Sequence, residues 1–130
     1  MARDYGYEWE VSLYSYYKVA MAKRTDADEI EEESFNATCR LFEHETDVDV
    51  LDNQVMKVEQ GDKYFTFASV GLELKIKVTA HDIEKAFEEA EKVADEVKDR
   101  LPAGVAYIES QAFDADKGEE AIDWDWAVGE

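Results

Sequence analysis

An α+β fold is predicted by three features of the chain. The first is a fifteen-residue run in which apolar and polar residues alternate from Tyr7 to Met21. The second is another long alternation, reached through a glycine-centred turn at Gln60-Gly61-Asp62. The third is one amphipathic stretch between Thr79 and Leu101. Period two reads as a half-buried strand, and spacings of three and four read as a helix with one apolar stripe. An antiparallel sheet with the long helix of residues 80–101 on one face joins these elements with short connections.

Tyr7, Trp9, Val11, Leu13, Tyr17, Val19 and Met21 share the odd face of the first strand, and Glu8, Glu10, Ser12 and Lys18 the even one. Tyr14 and Tyr16 also lie on the even face, where they either meet a second layer or stand exposed. Lys23-Arg24-Thr25-Asp26 ends the alternation. Thr25 with Asp28 three residues on is a helix-start signal for a short acidic helix from Ala27 to Ser34. Thr38 to Glu43 reads as a second short strand with Cys39 and Leu41 on one face. Thr46 to Asn53 reads as a loop or edge strand.

Gln54 to Glu59 and Lys63 to Val78 form the arms of a hairpin, with Gly61 expected to supply positive φ. Tyr64, Ala68, Val70, Leu72, Leu74, Ile76 and Val78 share one face of the second arm. Gly71 inside it suggests a bulge or bend. In the long helix Thr79 and Asp82 resemble a capping box. Ile83, Ala86, Phe87, Ala90, Val93, Ala94, Val97 and Leu101 form its stripe, and Pro102 and Gly104 end it. Gly104 to Phe113 reads as a last strand. The order can be drawn as a ferredoxin-like sandwich with residues 7–43 and 63–113 as its halves. Residues 1–113 are thus read as one domain and 114–130 as an acidic segment, either an edge strand or a docking tail.

With 33 Asp and Glu against 14 Lys and Arg, the formal net charge is −19. Phosphate is neutralised by basic side chains, so this balance argues against direct binding to nucleic acid or an anionic membrane. No apolar run is long enough to span a bilayer, and Met1-Ala2-Arg3-Asp4 does not begin a secretory signal. A single cysteine, Cys39, fits a reducing cytoplasm, the host's if the protein is viral.

Chemistry-bearing motifs are sparse. His44 and His81 are the two histidines, and a zinc site would need further His or Cys ligands. Cys39 reads as a small buried apolar residue, and no base is placed to activate it. No glycine-rich phosphate loop occurs. A calcium loop starting at Asp114 puts Glu119 where glycine is needed, and one starting at Asp47 puts Asp52 there. No catalytic residue, cofactor or metal is assigned.

The unusual feature is unbalanced charge. Residues 26–52 carry eleven acids, namely Asp26, Asp28, Glu29, Glu31, Glu32, Glu33, Glu43, Glu45, Asp47, Asp49 and Asp52, against the single base Arg40. The long helix instead alternates acids with Lys85, Lys92, Lys98 and Arg100, as a solvated face does. Unbalanced like charge destabilises a fold, so a salty cytoplasm or a basic partner is expected to compensate. Lys (10) outnumbers Arg (4), which weakens the salt-adaptation reading. Residues along a strand advance about 3.3 Å, near the spacing of nucleotides along a duplex, so a row of carboxylates can imitate phosphates.

In size and charge the chain resembles the small acidic proteins that occupy the DNA groove of an enzyme: uracil-glycosylase inhibitors, antirestriction proteins and some phage anti-CRISPR proteins. The resemblance implies a non-enzymatic viral inhibitor. It would block the basic surface of a nucleic-acid-binding protein of host defence or DNA metabolism, with the eleven acids as contacts. The tail around Trp124 and Trp126 is a further candidate contact, unless those rings fold back onto the sheet. The alternative is a soluble binding or assembly module of a salt-adapted or viral organism, its acidity serving solubility. An enzyme ranks third.

The charge carries a direct expectation. Mobility shifts with the pure protein near physiological salt will show no DNA or RNA complex at micromolar concentrations; a shifted band there would reveal a basic face that the charge count hides.

Overall fold

The first strand is the one on which the rest is assembled. In the structure, a computed structural model that describes residues 6–120, β1 (Tyr7–Ala22) pairs antiparallel on both sides. The chain continues through α1 (Ala27–Thr38), β2 (Val48–Gln60), β3 (Phe65–Ala80), α2 (Ile83–Asp95) and β4 (Val105–Glu120). The sheet order is β2-β3-β1-β4 with every neighbour antiparallel. This is the ferredoxin-like order of connections, two β-α-β units interleaved in one sheet. Its halves run over residues 7–60 and 65–120, longer than the sequence suggests.

The odd residues of β1 face the helices. Val11, Leu13 and Tyr17 are fully buried with Val70, Leu72 and Leu74 of β3, and both helices join this one core. The even residues face away from the helices, and among the described residues no second layer covers them.

Several elements depart from the sequence reading. Thr38 to Glu43 is not a strand; α1 runs through Thr38, and a turn follows to His44. The inward row of α1 is Ile30, Ser34 and Thr38. Ser34 Oγ donates to the Ile30 carbonyl at 2.7 Å and Thr38 Oγ1 to the Ser34 carbonyl at 2.9 Å, so both hydroxyls are buried at little cost. Cys39, one residue past the helix, is exposed rather than buried. The helix begins on Asp26, whose carboxylate accepts from the Asp28 and Glu29 amides, and not on Thr25.

At the second helix, Asp82 is the cap, bonding the Lys85 amide, and Thr79 is still in β3. The regular α2 stops at Asp95, and a 3₁₀ turn over Glu96–Arg100 completes it. Its buried residues are the alanines 86, 90 and 94, with Val97 beyond. Phe87 and Val93 only flank the contact and Ile83 is 42% exposed, so small side chains bring the helix axis close to the sheet. Tyr64, assigned to the core face of the hairpin, is exposed before β3 begins.

Gly61 does not adopt positive φ. The Phe67 ring lies where its Cβ would stand, so the turn needs the absence of a side chain. Gly71 carries no bulge: it sits in register between Tyr16 and Gln54. Gly104, at φ 84, is the left-handed residue that turns the chain into β4. Residues 114–120 continue β4 along the edge of the sheet.

The packing gives an ordered set of mutational costs. Leu72→Ala opens the closed centre and will lose about 3 kcal/mol in urea melts. Ala90→Leu will lose about 1–3 kcal/mol by pushing α2 off the sheet. Phe87→Ala, at the margin, will cost less than either, and a larger loss there would show that the helix packs on the rotated stripe read from the sequence.

Candidate protein-interaction surfaces

The eleven acids of residues 26–52 do not form one surface. The α1 group lies in the helix layer. Asp49 and Asp52 pair with Lys75 and Glu73 of β3, which puts them on the opposite, open side of the sheet. Several are already engaged. Asp26 caps α1. Arg24 reaches Glu33 at 3.1 Å and Glu29 at 3.6 Å. Arg100 holds Glu45 at 2.9 Å, and Glu43 lies 3.3 Å from His44. Asp52 accepts from the Asn53 amide. Asp28, Glu31 and Glu32 are exposed and make no ion pair with any described residue. With Phe35 and Asn36 they line a shallow depression on the outer side of α1. Asp47 lies at a broad depression of about 690 Å³ with Glu8, Glu10, Asp116, Lys77 and Lys117, where both signs of charge are present. Trp124 and Trp126 lie outside the described residues.

The second surface is the open face of the sheet. Tyr14 of β1 stacks on Phe113 of β4, with ring centres 4.6 Å apart and planes 19° from parallel. Tyr16 lies 6.3 Å from Tyr14. Phe113 reaches this position because the β1–β4 ladder slips between Ser12 and Leu13, leaving it as the extra residue. A Cβ on Gly71 would stand 2.9 Å from Met56 Sδ and 3.3 Å from the Tyr16 ring, so the two side chains close over bare backbone. One apolar band therefore crosses all four strands: Phe113, Tyr14 and Tyr16, Gly71, Met56. Tyr14, Met56 and Phe113 remain exposed.

Charge along this band is uneven. Glu73 stands directly opposite both Tyr14 and Asp52, and Glu109 directly opposite Tyr16. Neither glutamate has an ion-pair partner among the described residues. Neighbouring lysines point elsewhere: Lys75 lies 3.6 Å from Glu10, and Lys18 sits over the Phe67 ring with Glu59 at 3.8 Å. Tyr14 and Tyr16 were legible in the sequence as an unassigned pair. Phe113, Met56, Glu73 and Glu109 were not, because only strand register brings them together.

A third cluster is internal. Tyr107 OH donates to Ser110 Oγ at 2.7 Å, Ser110 Oγ and Ser15 Oγ are 2.9 Å apart, and Ser15 Oγ donates to Tyr17 OH at 2.7 Å. The chain ties β1 to β4 under α2. Burial raises the Tyr17 phenol far above its ordinary range, against a smaller lowering by the Ser15 bond; burial also raises Tyr107. Both hydroxyls are thereby held neutral, which suits a structural clasp and not a nucleophile. His44 is almost fully exposed, and no group of three or more potential metal ligands occurs among the described residues. Among these residues no helix is long and apolar enough to cross a membrane.

Comparison with known proteins returns no match of this chain to a protein family, to a curated protein or to a solved structure.

Burial of the two phenols makes the fold sensitive to alkali. A raised phenol contributes stability that is intact below the unfolded value of about 10 and is lost as pH climbs above it. Urea midpoints will fall steeply above about pH 10. Tyr17→Phe will cost about 1 kcal/mol at neutral pH and flatten that alkaline decline. An unchanged slope would show that other groups govern it.

Proposed function

We propose that the protein is a non-enzymatic interaction protein that occupies a basic surface of a nucleic-acid-binding protein, its carboxylates standing where phosphates would. The observation that carries this reading is the outer side of α1, where Asp28, Glu31 and Glu32 are exposed without a cation. Free carboxylates of one sign, on a chain of charge −19, steer encounter with a positive partner and discourage acidic ones. A viral or mobile-element setting, acting on host defence or DNA metabolism, fits a small inhibitor of this kind.

A second reading is favoured by a specific observation. The acids lie on both sides of the sheet, with Asp49 and Asp52 opposite α1. Even spreading of this kind serves general solubility in a soluble binding or assembly module.

Association kinetics separate the two. Asp28, Glu31 and Glu32 would be reversed to Lys together, and compared with an α2 variant that reverses Glu84 and Glu88 of α2 and Glu96 at the start of the 3₁₀ turn after it. The partner is one recovered from host lysate and shown to bind DNA. On the inhibitor reading, the α1 variant associates about tenfold more slowly at low salt, the α2 variant much less so, and DNA competes for the partner. Equal slowing of the two variants, without competition by DNA, would favour the solubility reading.

A further inference from the structure

We infer that the open sheet face is an arginine-reading surface, which takes the guanidinium groups of a basic polypeptide segment on Tyr14 and Tyr16 and pairs them with Glu73, Asp52 and Glu109. The inference deepens the reading above and rests on its basic partner. Three independent features of the face lead to it.

The first is the apolar band itself. Phe113, Tyr14 and Tyr16 lie side by side on two strands, and Tyr16 and Met56 of a third close over Gly71 of the fourth. Aromatic side chains clustered near the middle of a surface, with a polar surround, are the usual anchors of a protein contact. The central pair, Tyr14 and Tyr16, stands on the strand paired on both sides, so their backbone positions are held before any partner arrives.

The second is charge left uncompensated beside those rings. Glu73 and Asp52 are directly opposite across β3 and β2, and like charges in that relation destabilise a sheet. Lys75, two residues from Glu73, is turned to Glu10 at 3.6 Å. Glu109, across β4 from Tyr16, also has no ion pair among the described residues. A cation brought from outside relieves the repulsion that the isolated face carries.

The third is the match between this pairing and one kind of cation. Each tyrosine has an acidic residue directly opposite it on the neighbouring strand, where backbones are about 5 Å apart. A planar guanidinium can stack on the ring and direct its N–H fork at that carboxylate. A compact, strongly hydrated ammonium does only part of this. Other occupants fit poorly. Nucleic acid would meet the carboxylates with its own phosphates. A second copy of this chain would bring another −19.

The test uses the full-length, isotope-labelled protein titrated with oligo-arginine and with oligo-lysine peptides of equal length. At about 0.15 M salt the arginine peptide will bind about fivefold or more tightly, because the stacking contribution survives screening. Amide shifts will centre on residues 14, 16, 71, 73 and 109. Tyr14→Leu will narrow the gap between the two peptides, Tyr14→Leu with Tyr16→Leu will bring them to equal affinity, and Glu73→Gln with Asp52→Asn will weaken arginine binding about tenfold. The double variant will also unfold at higher urea than the parent, because its like-charge pair is gone; this separates a lost contact from a lost fold. Equal affinity for both peptides, with shifts centred on α1, would overturn the arginine surface and leave the basic-partner reading standing. If neither peptide binds, both readings fall.

Discussion

The structure depends on one constraint: β1 must bury one side and not the other while pairing along both of its edges. Its odd residues, from Trp9 to Met21, fill the space under the helices, and the same strand supplies the ladders to β3 and β4. A slip of one residue would send that apolar row into solvent and Lys18 and Glu10 into the core. Register is therefore held across the whole sheet, and the placing of Tyr14 and Tyr16 on the uncovered side follows from it. The outward surface is a by-product of how the inward one packs.

The helices answer the same constraint differently. α2 comes close because alanines 86, 90 and 94 face the sheet, and the hydroxyl chain from Tyr107 to Tyr17 fastens the strands beneath it. α1 rests on one isoleucine and two hydroxyl residues that bond their own helix. It carries acids over most of its remaining surface and is fastened at its start by Arg24, which joins Glu29 and Glu33 to the end of the sheet.

Legibility in the sequence tracks how far each signal was local. β1, the hairpin and α2 carry strong periods in apolar residues, and those alone imply an antiparallel α+β fold. The end of α1, from Phe35 to Thr38, was missed because its inward position Thr38, like Ser34 before it, is polar and leaves no apolar stripe. That loss made Thr38 to Glu43 look like a strand and hid the true extent of β2, an edge strand with Val48 alone fully inside. The acids of residues 26–52 were visible as a run, but their division between capping, pairing and free surface was not, since Arg24 lies just outside that run and Arg100, which holds Glu45, comes from the far end of the second helix. The band on the open sheet face was out of reach for a related reason. Met56, Gly71, Tyr16 and Phe113 lie far apart in the chain and meet only through register and one bulge.

The exposed side of β2 bears on how this protein behaves at high concentration. Thirteen residues of strand with no partner on their outer side among the described residues, and with Val50, Leu51, Met56 and Val58 partly open to solvent, form the kind of edge that recruits a strand from a neighbouring molecule. The β2–β3 ladder slips twice, between Val50 and Asp52 and between Val55 and Lys57, and each irregularity bends the outer edge away from a flat template. Asp49, Asp52 and Glu59 add charge along the same strand. Two molecules meeting there would have to align bent edges while bringing matched negative rows together. The same acidity thus works against copies of this chain joining into a continuous sheet.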